Sequence, residues 1–170
     1  MPHTIVLGRS RSGKTTLTQQ ILKSLKNKGF GTLVLDPSGY AGRWDADYVT
    51  ADPHEFLDVV FASERCAFAV DEAGEMIGRF GGEMNKLASR SAQNGHRGFF
   101  ICQRAKMIDP TIRSQCENII TFQQSKNDIK DLSEEFVSPE LLAAPNLGKL
   151  EYICKMGFDP AFTSKLTFDT

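Results

Sequence analysis

Apolar residues along this chain fall into two rhythms. Short unbroken runs such as Ile5-Val6-Leu7, Leu33-Val34-Leu35, Cys66-Ala67-Phe68-Ala69-Val70 and Phe99-Phe100-Ile101-Cys102 read as β-strands. Longer stretches between them carry helical spacing, most clearly over 13–27, where Leu17, Ile21, Leu22 and Leu25 form one stripe and Gly29 lies just past the end. The pattern predicts strands over 4–8, 32–36, 48–50, 67–71, 98–102 and 118–122, and helices over 13–27, 53–62, 83–93 and 126–137. Alternation of this kind points to an α/β fold with a mainly parallel sheet. Beyond 137 the signal weakens. Ser138-Pro139 and Ala144-Pro145-Asn146 punctuate the chain, and 149–155 with 166–168 predict a terminal hairpin or edge strands. No internal repeat, low-complexity tract or dividing linker is evident, so residues 1–170 are expected to form a single domain.

Composition supports an ordinary globular chain: 170 residues, 41% hydrophobic and 24% charged. No apolar stretch approaches the roughly 18 residues of a membrane span. The start, Met1-Pro2-His3 followed directly by a strand, lacks the layout of a secretory signal, so the protein is expected to stay where it is made. Cys66, Cys102, Cys116 and Cys154 include no C-x-x-C pair and read as buried reduced thiols. The scattered His3, His54 and His96 argue against a Cys/His metal site. Tyr40 and Trp44 are expected in the core. Net charge is −1, but residues 45–75 carry −8 and residues 79–113 carry +5, an asymmetry compatible with a surface facing a polyanion or with ordinary solvated faces.

The chemistry starts at Gly8-Arg9-Ser10-Arg11-Ser12-Gly13-Lys14-Thr15, which satisfies G-x-x-x-x-G-K-[ST] between a strand and a helix. The glycines let the backbone curl so that successive N–H groups point inward, and the helix N-terminus adds partial positive charge. Lys14 would neutralise β- and γ-phosphates. Thr15 would offer its hydroxyl to Mg²⁺, and Thr16 would complete the nucleotide-binding loop. The strand ending in Val70-Asp71-Glu72 supplies two acids. At the tip of a strand expected beside the phosphate-loop strand, Asp71 would hold Mg²⁺ through a water, and Glu72 would polarise the attacking water, favouring hydrolysis over transfer. The strand over 98–102 would deliver Gln103 to the same edge, within reach of the γ-phosphate or that water.

These residues in this order resemble the FtsK/HerA superfamily of P-loop ATPases, and within it the genome-packaging ATPases of internal-membrane icosahedral viruses. The resemblance covers residues 4 to about 124. It rests on the phosphate loop, Asp36-Pro37, Val70-Asp71-Glu72-Ala73, Gly95-His96-Arg97-Gly98 with Gln103-Arg104, and Ile108-Asp109-Pro110-Thr111-Ile112-Arg113. It implies a RecA-like (ASCE) three-layer sandwich using ATP and Mg²⁺. It also implies a homo-oligomeric ring, hexamer or pentamer, that translocates double-stranded DNA, with capsid-vertex or membrane proteins as further partners. The corresponding location is the host cytoplasm or the virion. Residues 1–170 leave no place for the N-terminal barrel or the C-terminal winged helix of cellular members, so a minimal viral motor is the expectation.

Three rivals compete. Asp71-Glu72-Ala73-Gly74 also matches the D-x-x-G of small GTPases, and Ser125-Lys126-Asn127-Asp128 comes one residue short of N-K-x-D. A small-molecule kinase would need an Arg-rich lid, which is not apparent. A nucleotide-controlled assembly switch would hydrolyse ATP only incidentally. Lacking a complete guanine-reading motif, the chain is expected to prefer ATP to GTP. An arginine supplied between subunits is also expected. Arg97 precedes the strand over 98–102, whose far end carries Gln103 about 16 Å away at about 3.3 Å per residue, so it would serve a neighbour's nucleotide; Arg90, near the end of the preceding helix, is the second candidate.

Overall fold

The structure is a computed structural model and describes residues 3–168, the side chains of residues 77–81 excepted. Arg79, one of the bases of the 79–113 segment, falls among those side chains, and Met1 and Pro2 precede the described residues. Among the described residues eight strands form one sheet: β1 (His3–Leu7), β2 (Gly31–Leu35), β3 (Tyr48–Thr50), β4 (Cys66–Val70), β5 (Arg97–Cys102), β6 (Cys116–Thr121), β7 (Glu151–Met156) and β8 (Phe162–Lys165). Their order is β3-β2-β4-β5-β1-β6-β7-β8. The first six are parallel; β7 and β8 join antiparallel.

Helices cover both faces. α1 (Lys14–Asn27) packs Leu17, Leu22 and Leu25 onto Val6, Val34, Ala67, Ala69, Phe99, Ile101 and Ile120. On the opposite face α2 (Pro53–Ala62), α3 (Ala73–Ser91) and α5 (Lys126–Glu135) cover Ile5, Leu7, Phe68, Val70, Phe100 and Ile119. Alternate residues of one strand thus enter different layers, and both layers are buried, which is why central strands read as unbroken apolar runs. α4 (Pro110–Ser114) is one short turn between β5 and β6. The result is the expected three-layer α/β sandwich with a mainly parallel sheet.

Four expectations need correction. The helix predicted over 83–93 begins ten residues earlier, at Ala73, directly after Glu72. Glycines at 74, 78, 81 and 82 lower its propensity and hide its first half. β4 is not beside β1, because β5 lies between them and pairs with both. The terminal hairpin exists, but its second strand is Phe162–Lys165 rather than 166–168. Trp44 is buried as expected, whereas Tyr40 is 71% exposed on the turn between β2 and β3.

The four cysteines are free and buried. Burial pushes the Cys116 thiol up to about 12 and the Cys154 thiol up to about 11, so neither is a nucleophile at neutral pH. No described helix is long and apolar enough to cross a membrane.

Candidate functional site: a nucleotide cradle at one sheet edge

Because β1, β2, β4, β5 and β6 run parallel, their C-terminal ends share one edge. Backbone hydrogen bonds fix those ends together: Gly8 N–H donates to Cys102 O (3.2 Å), Phe122 N–H to Leu7 O (2.9 Å) and Asp71 N–H to Leu35 O (2.9 Å). The phosphate loop, Asp36, Asp71 and Gln103 therefore emerge side by side. With β5 between β1 and β4, Gln103 stands between the phosphate loop and the Asp71-Glu72 pair.

The phosphate loop has the backbone its chemistry requires. Arg11 (φ 63°) and Gly13 (φ 105°) are left-handed, and Gly13 leads directly into α1. Gly13 has a φ that L side chains rarely adopt, and a Cβ there would lie 2.7 Å from Leu166 Cδ2; a Cβ on Gly8 would lie 2.2 Å from Ser12 Oγ and force that hydroxyl to turn away. No side chain caps α1 and no acid occupies its first turn, leaving its leading N–H groups to an anion. Lys14 is 8% exposed and arches back to donate to Arg9 O (3.3 Å). Ser12 Oγ is buried without a hydrogen-bond partner. This is a cradle with one unfilled polar atom, and it fits a phosphate chain. Arg9 and Ser10 are exposed, while Thr15 and Thr16 are half-buried at the start of α1. Beside the loop, Phe122, Leu147 and Leu150 help line a cleft of about 350 Å³, large enough to begin a nucleoside site.

Asp71 is buried, with Oδ1 accepting the Glu72 N–H (2.9 Å) and Oδ2 accepting Arg43 Nη2. Burial pushes its carboxyl up, and the Arg43 charge and the Glu72 N–H only partly oppose this. Asp36 differs. Burial pushes it up too, but hydrogen bonds from Ser38 and Trp44 and the Arg43 charge outweigh burial and hold it below the usual carboxylate range. Thr15 and Asp71, one neutral hydroxyl and one carboxylate, are an oxygen donor set suited to Mg²⁺ that takes its remaining ligands from phosphate and water. Glu72 follows in the left-handed region (φ 51°, ψ 42°) as the N-cap of α3. Gln103 is exposed, and its backbone carbonyl accepts from Gln124 Nε2 (2.9 Å).

Arg97 and Arg90 are placed elsewhere. Arg97 pairs with Ala67 at the opposite edge of the sheet, its guanidinium 4.9 Å from the Phe30 ring centre. Arg90 is exposed in the last turn of α3, beside a cleft shared with His54, Asp58 and Glu83. The other members of the 95–98 motif have structural work. His96 is buried, accepting from Cys66 N–H and bonding Val60 O, and a Cβ on Gly98 would lie 2.4 Å from the Phe68 ring.

Two features resembling a GTPase are accounted for by packing and ion pairing. Gly74 is needed because a Cβ there would lie 2.6 Å from Met107 Cβ and 3.0 Å from Cys102 Sγ, where α3 starts against the end of β5. The Asp128 carboxylate is forked onto Arg104, at 2.9 and 3.0 Å. Sequence reasoning missed Arg43, which lies in no motif, and Gln124. The one signal was Arg43's position as the last base before the acidic 45–75 segment.

Fold and cradle together define a P-loop nucleotide-binding protein with an extra strand between the phosphate-loop and acid-tipped strands. Comparison with solved structures agrees. The chain is similar to the DNA-packaging ATPase B204 from Sulfolobus Turreted Icosahedral Virus: 15% identity, 98% of each chain covered, TM-score 0.77. It is likewise similar to the genome-packaging NTPase B204 from Sulfolobus turreted icosahedral virus 2 in complex with ATP-gammaS, at 16% identity, 96% of each chain and TM-score 0.78. The pCW3 conjugation coupling protein TcpA, with ATPgS, matches at 17% identity over 96% of this chain and 59% of that one, TM-score 0.75. No protein-family profile and no curated protein matches. The fold is that of the packaging and coupling ATPases.

Proposed function

We propose that this protein is an ATPase that moves double-stranded DNA, packaging a viral genome into a preformed capsid. One observation carries the reading: phosphate loop, Asp71, Glu72 and Gln103 converge on one edge of a fold that aligns over almost its whole length with packaging ATPases.

In this reading the loop N–H groups and Lys14 hold the β- and γ-phosphates, and Thr15 with Asp71 would hold Mg²⁺. That ion, when bound, neutralises charge on the phosphate oxygens. Glu72 takes the proton from the attacking water. Gln103 orients that water or the γ-phosphate from its position just past the end of β5. A neighbouring subunit in a homo-oligomeric ring contributes Arg97, or Arg90, to the charge developing on the γ-phosphate. Residues 1–170 act as one domain, in the host cytoplasm or at the virion, against a capsid vertex or membrane partner. ATP is favoured over GTP because Asp128 already holds Arg104.

The test is ATP turnover with and without linear duplex DNA. Turnover stimulated by duplex, and lost in Lys14→Ala together with tight ATP binding, supports the motor. Turnover indifferent to DNA supports the assembly switch instead.

A further inference from the structure

Outside the nucleotide cradle proper, Arg43 bridges two buried carboxylates. Asp36 and Asp71 stand side by side because β2 and β4 pair in register at Leu35 and Val70. Their side chains are only 1% and 3% exposed, and two buried like charges at adjacent strand tips require a cation. Arg43 supplies it, with Nε donating to Asp36 Oδ2 (2.8 Å) and Nη2 to Asp71 Oδ2. The two acids are not equivalent. Asp36 also accepts the Ser38 N–H (3.0 Å) and hydroxyl (2.6 Å) on Oδ1 and the Trp44 indole N–H (2.9 Å) on Oδ2. About four acceptor positions exist on a carboxylate, so Asp36 is saturated while Asp71, with two donors, keeps acceptor capacity for a metal's ligand shell. The turn carrying Arg43 is itself pinned. Trp44 is buried among the residues under α1, and Gln19 of α1 donates to Arg43 O (2.8 Å).

We propose that Arg43 is a positioning residue for the metal site: anchored on Asp36, its guanidinium fork fixes the orientation in which Asp71 faces the Mg²⁺ that accompanies the nucleotide. This rests on the Mg²⁺-nucleotide reading of the cradle. Because the fork touches Asp71 and not the phosphates, loss of Arg43 weakens the response to metal and spares binding of the phosphate chain.

The experiment is calorimetric titration with AMPPCP in EDTA and then over a series of Mg²⁺ concentrations. In Arg43→Gln, AMPPCP binding in EDTA stays within about twofold of wild type, while the Mg²⁺ concentration needed for half of the affinity gain rises about tenfold or more. A merely structural role would lower both together. Arg43→Lys keeps the counter-charge, so the buried acids stay compensated even if the glutamine variant fails to fold. A lysine cannot fork across two carboxylates and loses metal response in the same direction. A wild-type or stronger Mg²⁺ response in either folded variant overturns the proposal alone. A wild type indifferent to Mg²⁺ overturns the nucleotide reading as well.

Discussion

Glu72 adopts φ 51° and ψ 42°, a conformation that costs a non-glycine residue about 1 kcal/mol or more, and it does so immediately after the buried Asp71. The strain is accepted where the chain must turn at once from β4 into α3 and present a carboxylate at the sheet edge. Two substitutions separate strain from chemistry. Glu72→Gln should bind Mg²⁺ and ATP normally and lose about 10²-fold or more in hydrolysis. Glu72→Gly should lose hydrolysis equally but gain about 1 kcal/mol, raising Tm by about 2–4 °C in a chain this size. Normal turnover by Glu72→Gln would move the general base elsewhere. His3 offers a pH-dependent test. Burial pulls its imidazole down to about 4; Nδ1 accepts from Gly98 N–H while Nε2 bonds Ala88 O. The folded state therefore favours neutral imidazole, and this contribution is complete above the unfolded value of 6.5 and lost as pH falls toward 4. Urea unfolding should show wild-type stability falling by up to about 1.4 kcal/mol per pH unit more steeply than His3→Gln across that window. Parallel slopes would exclude His3 as the cause.

At the scale of elements, the reach of the sequence had physical limits. The phosphate loop, the acid-tipped β4 and the Gln103 tip were legible because each couples an apolar strand to an abrupt polar end, and parallel connection then forces those ends to one edge. Strand order was not legible: no local pattern says that β5 inserts between β1 and β4. The start of α3 was masked by its glycines, one of which, Gly74, is demanded by contact with Met107 and Cys102 rather than by flexibility. Arg43 was illegible because its partners are 7 and 28 residues away. The C-terminal hairpin read as an optional edge, yet Leu150, just before β7, and Leu166, just after β8, lie against Gly13, so the residues flanking the hairpin buttress the phosphate loop. The Arg104–Asp128 fork ties the segment after β5 to the first turn of α5. Asp128→Ala should leave the ATP-to-GTP preference unchanged, since Asp128 is committed to that pair. Nucleotide competition would show it, and a selective change in GTP affinity would revive the GTPase reading.

For the whole molecule, the key geometric fact is that Arg97 and Gln103 lie at opposite ends of β5. A ring in which one subunit's Arg97 edge meets the next subunit's nucleotide edge would use both. Arg97→Ala should then bind ATP yet lose turnover, and mixing it with Glu72→Gln should restore part of that turnover at interfaces joining an intact Glu72 to an intact Arg97. Mixtures no more active than their components would remove Arg97 from the reaction. Movement of DNA is the central claim, and displacement of a third strand annealed to one end of a linear duplex measures it most directly. Wild-type protein should strip that strand only with ATP and Mg²⁺, and the Glu72→Gln protein should leave it in place. A third strand that stays bound while the wild type hydrolyses ATP on the same duplex would contradict the motor.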